Sequence, residues 1–236
     1  MRRLPRRACS GLPSVPPPGQ TRCPYTRPVS VTWLGRPHTL GSRVSLLLLR
    51  LTGWTPLLEP PPMGGVKFVT AAAPHTSNLD FWPGLFWKWA TRIPLHWVGK
   101  RELFNFPQGI FMRAVGGIAL DRRRAGGNFV DAVVSVIERE EEIMLLVAPE
   151  GSRNRAEYWK TGFYYMALKA GVPIAVTALD WQHRRIGIIG YVQPTGDVKA
   201  DFAQIATLLK DVRGRIPANE TPIIPRPDDT EQPAPA

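Results

Sequence analysis

A histidine and an aspartate five positions apart are the residues of this chain whose types and spacing most clearly suit catalysis. His75 and Asp80 directly follow an apolar run at residues 66–73. A neutral imidazole accepts a proton near pH 7, and a carboxylate on its other ring nitrogen fixes the tautomer and stabilises the imidazolium. The pair therefore predicts general-base chemistry, although the same spacing also arises by chance in turns and N-caps.

The apolar runs around this pair predict the framework that positions it. Residues 66–73 are short, partly β-branched and end at a proline, which is typical of a buried parallel strand, and residues 78–90 have the length of the helix that follows one. Further strands are predicted at residues 95–98, 117–120, 143–147, 174–179 and 186–192, and further helices at 107–115, 128–139, 162–170 and 200–213. This alternation predicts an α/β fold, with a largely parallel central sheet and helices packed on its faces.

Two more groups of polar residues follow predicted strands. Residues 121–124 are Asp-Arg-Arg-Arg, and residues 149–153 are Pro-Glu-Gly-Ser-Arg. Because the carboxyl ends of parallel strands share one edge of a sheet, both groups are expected near His75. Arginines at this edge would bind an anion such as phosphate. If only one of the two polar groups were present, a solvated turn would be the simpler interpretation of it.

Four ordered motifs give the chain a family resemblance. It resembles the glycerolipid acyltransferases typified by 1-acyl-glycerol-3-phosphate (lysophosphatidate) acyltransferases, over about residues 45–213. The motifs are H-x4-D at His75 and Asp80, G-x-I-x-x-D-R from Gly116 to Arg122, P-E-G-[ST]-R from Pro149 to Arg153, and V-P-I from Val172 to Ile174. Four motifs in family order are a specific signal, since any one of them would be weak.

The resemblance implies a role for each motif residue. His75 is expected to be the general base and Asp80 to orient it. Arg122 and Arg153 are expected to bind the phosphate of the acceptor, in a pocket shaped by Glu150 and Gly151 and completed by Ser152. The fold implied is that of glycerol-3-phosphate acyltransferases, with no metal and no cofactor.

The substrates implied are an acyl thioester and a lysophospholipid. The donor would be acyl-CoA or acyl carrier protein, and the acceptor 1-acyl-glycerol-3-phosphate, giving phosphatidic acid. The acceptor hydroxyl is itself the nucleophile, and no cysteine occurs within residues 44–215. The alternatives are acyl transfer to another lysolipid or to an amine-bearing lipid, or a non-catalytic role at a lipid surface.

The basic charge of the chain is concentrated at its amino terminus. The formal net charge is +11, and residues 1–50 hold nine arginines and no acidic residue, which leaves +2 for the remainder. A near-neutral body argues against nucleic-acid binding. Residues 1–43 are expected to be a disordered Arg/Pro-rich arm or a misassigned start, residues 44–215 the acyltransferase domain, and residues 216–236 a disordered Pro-rich tail.

The hydrophobic pattern predicts contact with a membrane but no span. No run approaches the ~20 apolar residues that a membrane-spanning helix needs. Aromatic residues crowd the helix after Asp80, and they fit either the protein core or a lipid–water interface. We therefore expect a cytoplasmic protein that is peripheral at the inner face of the cell membrane.

Overall fold

The central element of the computed structural model is a seven-stranded sheet. The structure describes residues 32–62, 66–120 and 129–227. The strands are β1 (Thr55–Leu58), β2 (Lys67–Ala73), β3 (Leu95–Lys100), β4 (Gly117–Leu120), β5 (Ile143–Val147), β6 (Ile174–Asp180) and β7 (Arg185–Val192), in the order β1-β7-β6-β2-β5-β3-β4. Strands β2 to β6 run parallel to one another. Strand β7 is antiparallel to β6, and β1 pairs in parallel with β7.

Helices cover both faces of this sheet. They are α1 (Leu40–Leu51), α2 (Phe81–Thr91), α3 (Gln108–Ala114), α4 (Phe129–Arg139), α5 (Gly162–Ala170) and α6 (Val198–Leu209). One apolar core joins the sheet to α4, α5 and α6 through buried residues such as Val133, Phe163 and Ile205. A second core on the other face includes Leu49 of α1 and Trp87 of α2. The predicted α/β class with a largely parallel sheet is confirmed.

Two elements of the structure were not predicted. Helix α1 begins at Leu40, where the Thr39 side chain accepts the Ser42 main-chain N–H and the Ser42 hydroxyl accepts that of Thr39. Strand β1 is only four residues long and pairs with β7. The apolar run of α1 is only four leucines long, and β1 contains Pro56, which is unusual in a strand.

The folded body extends beyond both limits of the predicted domain. Trp33 is buried within the stretch expected to be an arm, and Thr221 is buried within the stretch expected to be loose. The Trp159 main-chain N–H donates to the carbonyl of Ile224 at 2.9 Å. Residues 32–43 and 216–227 are therefore packed, and the rest of the predicted arm and tail lies outside the described residues.

The aromatic residues of α2 divide between the core and the surface. Trp87 is 2% exposed, and its indole N–H donates to the Leu57 carbonyl. Phe81, Trp82 and Trp89 are 40–51% exposed. Across the described residues, no helix has the length and apolar character to cross a bilayer.

Candidate active site

The structure joins His75 and Asp80 in a hydrogen bond. His75 follows β2, which lies between β5 and β6, and Asp80 ends a short 3-10 turn over Asn78–Asp80. The distance from His75 Nδ1 to Asp80 Oδ2 is 2.9 Å. A carboxylate only accepts hydrogen bonds, so Nδ1 carries the hydrogen and Nε2 keeps its lone pair. The His75 side chain is 28% exposed, so part of its ring is accessible from solvent.

Asp80 is held from two further directions. Its Oδ2 also accepts the Ser77 main-chain N–H at 3.0 Å, and its Oδ1 accepts the indole N–H of Trp181 at 2.6 Å. Asp80 is 3% exposed. A buried carboxylate is tolerated when donors satisfy its oxygens, and here three donors fix its orientation toward the imidazole.

Glu150 secures the main chain of His75. Glu150 lies in the loop that follows β5, and its Oε2 accepts a hydrogen bond from the His75 N–H at 2.7 Å. Burial raises the pKa of Glu150 to about 7, and the hydrogen bond from His75 opposes this rise only in part. The carboxyl group is therefore partly protonated near neutral pH, and its contact with His75 is through the main chain.

Comparison with known proteins agrees with the motifs and the geometry. The family model described as Acyltransferase matches residues 67–179, which include the His75–Asp80 pair, Glu150, strands β2 to β5 and most of β6. These residues, a little less than half of the chain, are similar to the acyltransferase family. A curated relative, the 1-acyl-sn-glycerol-3-phosphate acyltransferase of Haemophilus influenzae, is 34% identical over 97 residues, which are 39% of this chain. The match spans only 40% of the relative's length.

A solved structure was also matched. The 1-acyl-sn-glycerophosphate (LPA) acyltransferase PlsC from Thermotoga maritima has a TM-score of 0.46 and 16% sequence identity, over 72% of this chain and 75% of that chain.

Three further motif residues, Gly151, Ser152 and Arg153, lie in the loop after β5. Gly151 has a φ of 70°, a backbone conformation that favours glycine, and the atoms nearest to an added Cβ belong to the flexible end of Lys160. Ser152 donates to the Asn154 carbonyl. Arg153 is exposed, with no hydrogen-bond or ion-pair partner among the described residues. Arg122 lies outside the described residues, so the structure brings together His75, Asp80 and Glu150 from the predicted set.

Trp181 is a residue of the candidate site that sequence analysis missed. It directly follows β6, which pairs in parallel with β2, so its position after the strand was available as a signal. The same turn holds a second histidine–aspartate pair, in which His183 Nδ1 lies 2.8 Å from Oδ2 of the buried Asp180. The sequence analysis assigned no role to either residue.

A cavity of about 290 Å³ adjoins the candidate site. Pro74 and Glu150 contribute to its wall, as do Trp159, Arg213 and Glu220. Glu150 therefore lines this cavity and also binds the main chain of His75, and residues of the segment after α6 form part of the cavity wall.

Proposed function

We propose that this chain is an O-acyltransferase that moves a fatty acyl group from an acyl thioester to the free hydroxyl of a lysophospholipid, and that 1-acyl-glycerol-3-phosphate is the acceptor. The observation that carries the proposal is the 2.9 Å hydrogen bond from His75 Nδ1 to Asp80 Oδ2. It leaves Nε2 free to accept a proton at the sheet edge where α/β proteins bind ligands. The match of residues 67–179 to the Acyltransferase family model supports the reaction class.

The proton path follows from this geometry. His75 Nε2 removes the proton of the acceptor hydroxyl while the hydroxyl oxygen attacks the thioester carbonyl carbon. The carbon–sulfur bond then breaks, and the thiolate leaving group takes the proton from the imidazolium. Asp80 stabilises the imidazolium between the two transfers, so no protein nucleophile and no metal is required.

Binding of the acceptor phosphate is proposed for the loops beside His75. Arg153 is exposed and carries donors suited to phosphate, and Arg122, which follows β4 in the sequence, is proposed to bind the same phosphate. Similarity to the 1-acyl-sn-glycerol-3-phosphate acyltransferase of Haemophilus influenzae supports a phosphate-bearing acceptor. The donor is acyl-CoA or acyl carrier protein.

The test is acyl transfer from a long-chain acyl-CoA to lysophosphatidate by the purified full chain. His75→Ala is expected to lower kcat by about 100- to 10,000-fold, the usual contribution of a general base. His38→Ala is the matched control, since His38 is exposed ahead of α1 and its ring contacts Ser42. Circular dichroism verifies that both variants fold.

Three outcomes are decisive. Retention of most activity by His75→Ala would overturn the proposed base. Transfer to lysophosphatidylcholine or to an amine-bearing lipid in preference to lysophosphatidate would keep the reaction class and change the acceptor. Inactive wild-type protein with every donor and acceptor would favour the non-catalytic alternative.

We also propose that the enzyme works on a membrane surface. Exposed apolar side chains of α1, α2 and the α3 region form what we call the apolar face: Leu40, Leu47, Leu51, Phe81, Trp82, Trp89, Phe106, Ile110 and Phe111. The Phe81 ring lies 5.4 Å from Trp82 and 6.5 Å from Phe111, which joins α2 to α3. Because Phe81 directly follows Asp80, an acceptor in the bilayer would meet this face next to the base.

A further inference from the structure

We propose that Arg184, Arg215 and the indole ring of Trp181 form a binding site for a phosphate monoester beside the His75–Asp80 pair. The inference deepens the proposed function, on which it rests, by assigning a phosphate of one substrate to residues outside the family motifs. Neither arginine belongs to the four motifs or to the predicted set of site residues.

The two arginines share one aromatic platform. The guanidinium carbon of Arg215 lies 4.8 Å from the centroid of the Trp181 ring, and that of Arg184 lies 5.2 Å from it. Arg184 also lies 5.7 Å from the ring of Trp54, which packs edge-on against Trp181 at 5.0 Å. Stacking on an aromatic ring orients a guanidinium while its N–H groups remain available to a ligand.

This platform is attached directly to the candidate catalytic pair. The edge of the Trp181 ring donates its N–H to Asp80 Oδ1 at 2.6 Å. The residues on either side of Arg215 pack on Thr76, which follows His75. The Ile216 N–H donates to Thr76 Oγ1 at 3.1 Å, and a Cβ at Gly214 would lie 2.7 Å from the same oxygen. Both arginines thus lie on a ring that is bonded to Asp80, and Arg215 is flanked by residues that contact the neighbour of His75.

The positive charge of this site is not neutralised within the described residues. Neither the Arg184 nor the Arg215 guanidinium has a hydrogen-bond or ion-pair partner there. Asp180, the buried acid at the start of the turn, is bonded to the His183 ring and accepts the main-chain N–H groups of His183 and Arg213. Glu220 accepts the Gly214 N–H at 2.7 Å.

The conformation of Arg184 adds a second kind of evidence. Its φ is 50°, in the left-handed region that glycine and asparagine usually occupy in turns. A long charged side chain is thus held at a position where the backbone favours another residue. Such strain is concentrated at functional sites.

The ligand class follows from charge and geometry. Two guanidinium groups provide two positive charges and paired N–H donors, which match a phosphate monoester with its charge of about −1.5 to −2 at pH 7. Lysophosphatidate carries one such group, and the 3′-phosphate of acyl-CoA is another. The site is therefore assigned to phosphate, and the experiment identifies the substrate that supplies it.

The test measures binding without turnover. Glycerol 3-phosphate and CoA are titrated by calorimetry into the full-length protein and into Arg184→Met and Arg215→Met, which keep an apolar stem on the rings and remove the charge. Arg139→Met is the matched control, because Arg139 is exposed at the end of α4, ahead of β5 and so at the opposite edge of the sheet. We expect each site variant to weaken one of the two ligands about tenfold, and the control to bind as the wild type does.

Each result has a defined meaning. Weakened glycerol 3-phosphate binding assigns the site to the acceptor, and weakened CoA binding assigns it to the donor. Unchanged binding of both ligands in Arg184→Met and Arg215→Met overturns the site, as does wild-type protein that binds neither ligand at millimolar concentration. The proposed function is judged separately by turnover in His75→Ala, so the two can fail independently.

Discussion

Asp80 is the residue on which the geometry of the candidate site depends. One of its oxygens accepts hydrogen bonds from the His75 ring and the Ser77 main-chain N–H, and the other accepts one from the indole N–H of Trp181. The carboxylate therefore cannot rotate without losing at least one of three hydrogen bonds. Its function in the proposed mechanism, to stabilise the imidazolium, requires this fixed position.

Replacing Trp181 by Phe tests this support. Phe keeps a ring under the arginines and removes the N–H that binds Asp80 Oδ1. We expect kcat to fall about tenfold with KM for both substrates nearly unchanged, since a hydrogen bond to a charged group contributes about 1.5–3 kcal/mol. Steady-state kinetics of the purified variant measure both constants.

Trp159→Phe is the matched control for that substitution. The indole nitrogen of Trp159 is buried with no hydrogen-bond partner in the described part of the chain, so the same atoms are lost without a bond to Asp80. A fall in kcat of equal size in both variants would show that Trp181 contributes only to packing.

Glu150 predicts a pH-dependent contribution to stability. Its pKa is raised to about 7, so the native state keeps a proton that the unfolded chain releases near pH 4.5. The contribution of Glu150 to the free energy of unfolding is therefore fully present below pH 4.5, and it is lost as the pH rises from 4.5 through 7. Relative to Glu150→Gln, the wild type is expected to lose about 3 kcal/mol of unfolding free energy across this window.

Urea unfolding of both proteins at pH 5, 6, 7 and 8 measures this difference. Subtracting the two curves removes the contribution of the other titrating groups that the proteins share. A difference that stays constant from pH 5 to pH 8 would contradict the raised pKa.

At the scale of elements, the sequence predicted what depends on local pattern and missed what depends on distant contacts. Strand β5 and helix α5 have the predicted bounds, because their apolar residues follow the periodicity of the element. The antiparallel direction of β7 follows from the four-residue turn after β6, which is too short for a parallel crossover. His75 and Asp80 were predicted together, five positions apart, whereas Trp181 joins them through a contact across 101 positions.

The segment after α6 is the element whose packing was least predictable. Gly214 lies against Thr76, and an added Cβ would approach the Thr76 hydroxyl at 2.7 Å and Pro74 Cβ at 3.3 Å. Gly214→Ala is therefore expected to displace the residues beside His75, lowering kcat/KM about tenfold and the unfolding free energy by about 1–3 kcal/mol.

Thermal melting and initial rates measure both effects of Gly214→Ala. Gly162→Ala is the control, because the nearest atom to a Cβ there is Met166 Cε at 4.0 Å. Wild-type rates in Gly214→Ala would show that the segment does not position the candidate base.

At the scale of the whole molecule, the candidate site and the apolar face meet at the start of α2. Helix α1 adds Arg43 and Arg50 to exposed leucines and contains no acidic residue. Basic and aromatic residues together favour the surface of an anionic bilayer. An acceptor with one acyl chain could then reach His75 without passing through bulk water.

Binding to vesicles tests the apolar face. We expect the double variant Trp82→Ala and Trp89→Ala to bind vesicles of mixed anionic and zwitterionic phospholipid at least about tenfold more weakly, since each buried aromatic side chain contributes about 1.5–3 kcal/mol. Co-sedimentation over a range of lipid concentrations gives the partition coefficient.

Ile224→Ala is the control for the vesicle experiment. Ile224 is 52% exposed but lies outside the apolar face, in the segment that follows α6. Equal losses in both proteins would indicate non-specific adsorption rather than docking through α1, α2 and the α3 region.

The supports of His75 also determine when during synthesis the site can first exist. The histidine and its aspartate leave the ribosome almost together, yet Glu150 follows His75 by 75 positions and Trp181 follows Asp80 by 101. A nascent chain that ends before Trp181 has the acid–base pair without the indole that fixes it. On this account, turnover begins only after the β6–β7 hairpin has been translated, and a protein split between β5 and β6 becomes active only when its two halves reassociate.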